Sequence, residues 1–96
     1  MLHLIFQSPI EAAILERVAV GDVLVFLENA ALRVLKNSSL SAKLTQQLAA
    51  NRLCVLSDDM AVRGISAGEL VSGIEVIDYA ELVELTVQHP LIQSWS

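Results

Sequence analysis

Short apolar runs alternate along this chain with segments whose apolar residues recur every three or four positions. The runs are 2-LHLIF-6, 23-VLVFL-27, 53-LCVLS-57 and 74-IEVID-78. Each is too short for a helix and rich in branched residues, so each reads as a strand. The second run is apolar at every position, as a strand buried on both faces should be. Helical periods fill the gaps. In 8-SPIE-11, Ser8 can cap a helix, Pro9 suits its first turn and Glu11 completes a capping box. Ile10, Ala13, Ile14 and Val18 then share a face, and Gly21 is placed to end that helix. Residues 28–36 read as a short helix or irregular turn. Leu40, Leu44 and Leu48 recur every four residues, which predicts a helix over 41–50, closed by Asn51. Ser57 can cap the helix that follows the third strand, with Asp58 and Asp59 at its positive end and Gly64 at its stop. Residues 65–73 read as a loop. Asp78 with Glu81 forms an aspartate capping box. Tyr79, Leu82, Val83, Thr86 and Val87 share a face of the last helix, which His89 and Pro90 end.

Strands alternating with helices predict an α/β/α domain with a mainly parallel sheet of four to five strands, spanning 1–96 as one domain. A short fifth strand fits either the stretch before Gly73 or the tail 91-LIQSWS-96.

Composition adds a constraint. The 96 residues are 54% hydrophobic, high for a chain with no apolar run near the roughly eighteen residues that cross a bilayer. Parallel strands absorb part of this excess, and a subunit interface is the expected home for the rest. No basic segment leads into an apolar stretch, so a secretory signal is not expected. The net charge of −5 opposes direct binding of a phosphate backbone. One cysteine allows no internal disulfide and fits a reducing cytoplasm.

Candidate chemistry is sparse. Gly21, Gly64, Gly68 and Gly73 form neither a dinucleotide fingerprint nor a phosphate loop. His3 and His89 stand far apart beside a lone cysteine, so no metal set and no cofactor are expected. Cys54 lies in mid-strand between Leu53 and Val55 with two acids downstream, which disfavours a thiolate. It reads as a small buried hydrophobe, and as a catalytic candidate only in second place. His3 reads as hydrogen-bonded in place, and His89 as a charge suited to a helix C-terminus. Trp95 can pack back on the domain or anchor a partner. Asp58 and Asp59 read as helix-start residues, with a role in shaping a partner's site as the alternative.

The opening 1-MLH-3 with Ser8 and Pro9, then 21-GD-22, 58-DDMAVRGI-65, 77-IDY-79 and 85-LTVQHP-90 with Ser94 and Trp95 occur in this order. Together they resemble the TusB/DsrH family of small sulfur-relay proteins over nearly the whole length. The resemblance implies a DsrE-like fold and assembly with TusC-like and TusD-like subunits as a dimer of heterotrimers. It implies a relay of persulfide sulfur from a TusA-like carrier to a TusE-like one, towards 2-thiolation of the tRNA wobble uridine. In the TusD-like subunit the carrier cysteine follows the third strand. The matching positions here, around Ser57 and Asp58, hold no thiol, so that role does not transfer. Some DsrH-type members carry an early cysteine, and the first fifty-three residues here have none.

Three readings compete. The first is a non-catalytic structural subunit of a cytoplasmic sulfurtransferase complex, without membrane or direct nucleic-acid contact. The second is a DsrH-like protein of sulfur oxidation, or an independent sulfur carrier, using Cys54. The third is a stand-alone homo-oligomeric binding module.

Overall fold

Where the sequence is apolar at consecutive positions, the backbone is extended. Strand β1 spans Leu2–Ile5, β2 Val23–Phe26, β3 Arg52–Leu56 and β4 Glu75–Ile77. The tail supplies the fifth strand, β5, over Ile92–Trp95. This architecture is that of a computed structural model, which describes residues 1–6 and 11–95, the side chains of 11–13 excepted. Among the described residues the strands form one sheet in the order β4-β3-β2-β1-β5, and every pairing is parallel. Leu24 of β2 stands opposite His3 of β1 and Leu53 of β3. All four residues of β2 are buried, as its unbroken apolar run requires.

Helices connect the strands: α1 over Glu11–Arg17, α2 over Ser41–Gln47, α3 over Ser57–Val62 and α4 over Tyr79–Gln88. Short 3-10 helices cover Glu28–Val34 and Ala67–Glu69. The predicted cap of α1 by Ser8 and Pro9, and the Ile10 position on its face, lie outside the described residues. Gly21 does not end α1, which already stops at Arg17. It instead adopts φ 90° in the turn before β2, a conformation glycine takes without strain. Ser57 does not cap α3. Strand β3 runs straight into this helix, so Leu56 takes the cap position and Ser57 is already helical. Its hydroxyl donates to Asp58 Oδ1 at 3.4 Å instead. Gly64, at φ 67°, follows the end of α3 as expected. The segment read as a loop contains the 3-10 turn Ala67–Glu69, closed by a Ser66–Glu69 capping box. The Asp78–Glu81 box is present: Glu81 N–H donates to Asp78 Oδ1 at 2.8 Å, and Asp78 N–H to Glu81 Oε1 at 3.2 Å.

The two faces of the sheet are covered unequally. On one face Ile5, Leu24, Phe26, Leu53 and Val55 meet Ile14 of α1, Leu44 of α2, Met60 of α3 and Ala30, Ala31 and Val34 of the first 3-10 helix. On the other face Leu2, Val25, Cys54, Leu56 and Ile77 meet α4, which contributes Leu85 as its one fully buried residue and packs Leu82 partly against them.

Gly73 offers a test of the backbone. Its φ is +100°, and an added methyl would come within 2.8 Å of Leu48 Cδ1. Gly73→Ala is expected to lower unfolding stability by about 2 kcal/mol, mostly from the left-handed backbone because Leu48 Cδ1 can give way. Gly68→Ala meets nothing within 4 Å and should change stability little. Urea unfolding of the two variants side by side checks the contrast.

Candidate functional site

A buried polar node ties the starts of β1 and β2 to the end of β5. Trp95 Nε1–H can only donate, and it does so to His3 Nδ1 at 3.1 Å. That bond leaves the His3 proton on Nε2, which donates to Asp22 Oδ2 at 2.9 Å. Asp22 also accepts from Ala19 N–H at 3.0 Å and from the Met1 ammonium at 2.9 Å. Asn51 extends the node, its Nδ2 donating to the carbonyls of Ala19 and Asp22 at 2.7 and 3.0 Å, while Gln47 donates to its Oδ1. Helix α2 stops at Gln47 with Leu48 at its cap, short of the predicted 41–50, so Asn51 does not close it. Asn51 N–H bonds the Gln47 carbonyl at 3.0 Å in the turn that follows, and its side chain fastens the loop ahead of β2. Burial alone would raise the Asp22 carboxyl. The hydrogen bonds from His3, the Met1 ammonium and Ala19 outweigh it and hold the group down at about 2. The node is saturated: its donors and acceptors serve one another, which suits fastening more than proton transfer. His3 is therefore held by hydrogen bonds, and Trp95 packs back on the domain.

Cys54 lies on the opposite face of the sheet from His3, fully buried among Val25, Leu56 and Ile77. Burial pushes its thiol up to about 11. Arg52 works against that, and Glu75 and Glu81 add to it. A thiolate is disfavoured at neutral pH, and no histidine joins it. The guanidinium of Arg52 is itself engaged by Glu75, through Nε at 2.7 Å and Nη2 at 2.9 Å. Among the described residues no group of three His, Cys, Asp or Glu could hold a metal ion.

The outer surface of α4 is the least ordinary feature. A surface helix normally turns its apolar stripe to the core. Here Leu85 faces inward while Tyr79, Val83 and Val87, one turn apart, are 56%, 58% and 80% exposed. Thr86 and Ala80 flank that stripe, so no charge interrupts it, whereas Glu81 and Glu84 lie to one side. Leu91 and Ile92 continue the exposed apolar surface past the helix end. The shared face read from the sequence is real, and most of it points away from the sheet.

A cavity of about 310 Å³ opens where α4 begins. Its walls are Leu4, Phe6, Leu27, Leu56 and Leu82, at the carboxyl ends of β1, β2 and β3 and under α4. Glu28 and Asp59 supply its acidic lining, and Tyr79 lines it from the helix. Glu28 has φ 51°, and its N–H donates to Asp59 Oδ2 at 2.7 Å. Asp59 therefore does more than begin a helix, because it holds a strained residue in place. Asp58 is an exposed first-turn residue of α3, and His89 ends α4 through its N–H to the Leu85 carbonyl at 3.1 Å.

Residues 6–91 match the family model described as DsrH like protein. A protein of Pectobacterium parmentieri named Protein TusB is 34% identical over 98 residues, covering 99% of this chain and all of that one. Protein TusB of Escherichia coli K12 is 31% identical over the same span. Two solved structures share the fold. The MTH1491 protein of Methanobacterium thermoautotrophicum aligns over 98% of this chain and 96% of its own with a TM-score of 0.79 at 12% identity. The ychN protein of Escherichia coli aligns over 98% and 97% with a TM-score of 0.76 at 16% identity. At these identities the two structures speak for fold alone.

The Asp22 node predicts a pH dependence. A carboxyl held below its ordinary value stabilises the fold above the unfolded value of 3.8 and loses that contribution as pH falls towards about 2. Asp22→Asn is expected to cost about 1–2 kcal/mol at pH 7. It should also flatten the fall in stability between about pH 4 and pH 2. Denaturant titrations of both proteins across that range check the slope.

Proposed function

This chain belongs to the DsrH-like family, and on that premise we propose that it is a non-catalytic structural subunit of a cytoplasmic sulfur-relay complex. Its partners are TusC-like and TusD-like chains, arranged as a dimer of heterotrimers. The complex accepts persulfide sulfur from a TusA-like carrier and delivers it to a TusE-like one, for 2-thiolation of the tRNA wobble uridine. The observation that carries this reading is the outward apolar stripe Tyr79–Val83–Val87 on α4. Monomers rarely leave such a stripe in water, and partner chains are what usually cover it.

In this reading the working cysteine belongs to another chain. Cys54 is fully buried, and its thiol is pushed up to about 11 by that burial. A sulfur carrier needs the reverse, an accessible thiol with a lowered value. The acidic balance of the chain, −5, supports contact with protein partners in place of tRNA itself. No helix among the described residues is long and apolar enough to cross a membrane.

Affinity-tagged chain recovered from its own host is expected to bring two further small subunits in equal amounts, at the native mass of a dimer of heterotrimers. A homo-oligomer with no partner would remove the reading. Cys54→Ala should cost about 1 kcal/mol of stability and leave wobble-uridine thiolation intact in a host whose own copy is deleted. Loss of thiolation by a folded, assembled Cys54→Ala protein would return the carrier role to this chain.

A further inference from the structure

We propose that the outward face of α4, together with the cavity at its start, docks a different chain through an apolar anchor side chain that carries a lysine or arginine beside it. The proposal rests on the assembly reading above and names the surface and the partner chemistry.

Three observations converge. The cavity of about 310 Å³ has apolar walls, while Glu28 and Asp59 are its charged lining among the described residues. It therefore fits an apolar side chain inside and a cation beside the two carboxylates. Asp59 already has Arg63 at 3.7 Å, so Glu28 is the carboxylate left to meet an incoming charge. A left-handed backbone holds Glu28 there, and Asp59 fixes that strain through the Glu28 N–H. Strain of this kind persists where the surrounding structure insists on a side chain's position. Tyr79 joins the cavity to the stripe of Val83 and Val87, so anchor site and apolar face form one continuous surface. The site also lies outside the carboxyl ends of parallel strands, where α/β sheets most often receive what they bind.

Charge decides between a second copy and another chain. The six lysines and arginines all precede residue 64, and the last is Arg63. From Glu75 onward the chain carries Glu75, Asp78, Glu81 and Glu84 with neither lysine nor arginine. Arg52 reaches this side but is engaged by Glu75. Two copies meeting through α4 would bring acidic flanks together, with Arg52, already paired to Glu75, as the cation beside Glu81 and Glu84 among the described residues. A partner with lysine or arginine around an apolar patch removes that cost and gains steering at low salt.

The test uses the full chain, tagged and recovered from its host, as wild type and as Glu28→Gln, Glu28→Lys and Tyr79→Ala. Circular dichroism and melting of each variant report whether it is folded. Wild type should bring other chains, with recovery falling as salt rises. Glu28→Lys and Tyr79→Ala should each cut that recovery by roughly tenfold or more. Glu28→Gln should cut it less and weaken its salt dependence. If Glu28→Lys fails to fold, Glu28→Gln and Tyr79→Ala decide alone. Full recovery by folded Glu28→Gln and Tyr79→Ala, with the wild-type salt dependence, overturns this docking surface while the assembly reading stands. A wild-type chain that brings no other chain, or only copies of itself, overturns both.

Discussion

A parallel sheet has two apolar faces, and each strand-to-strand crossover can cover only one of them. The hand of the crossover is fixed, so direction along the sheet decides the face. This chain steps from β1 through β2 and β3 to β4 in one direction, then returns past all of them to β5. Three connections therefore lie on one face and a single one, α4, on the other. The first face is closed by α1, α2, α3 and the 3-10 helix Glu28–Val34. The second is left with ten helical residues to cover five strands. The open cavity beside Leu4 and Phe6 follows from that imbalance. So does the partial exposure of the surface around Leu82.

The return to β5 has its own requirement. An edge strand of four residues, beginning two residues after Pro90, gains little from backbone pairing on one side alone. Its last residue supplies the rest. The indole of Trp95 fixes the tautomer of His3, His3 donates to Asp22, and Asp22 takes two further donors. The carboxylate is kept ionised against its burial because every donor around it points inward. Replacing the node by apolar residues of similar size could preserve stability, but it would remove the directional bonds that select this strand position.

Much of this was legible in the sequence, for identifiable reasons. The run VLVF at 23–26 has no polar position, and the strand it forms has no exposed one. The Asp78–Glu81 box depends on residues three apart and formed as read. Contacts that join distant residues left no local trace. His3 and Trp95 are 92 positions apart, and neither predicts the other. The two histidines and the tryptophan could be given plausible roles, but their pairing could not. Ser57 misled because a strand that enters a helix without a turn has no place for a side-chain cap. The Ser66–Glu69 box is present in the spacing, but two glycines in the same segment give it the local signature of a loop.

The face of α4 is the instructive intermediate case. Periodicity correctly groups Tyr79, Val83 and Val87, since side chains four apart on a helix lie above one another. It says nothing about which side of the helix meets the sheet. That choice is made by Leu85 and the half-buried Leu82, which leave the stripe facing water. Full burial of an apolar side chain contributes about 1.5–3 kcal/mol. Three such side chains kept mostly outside are a stabilisation the isolated chain forgoes, and one that the proposed assembly would recover. On the proposed docking, the helix that closes the thin face of this sheet is half of an interface. The acids beside it, Glu81 and Glu84, favour a partner of opposite charge over a second copy in that docking.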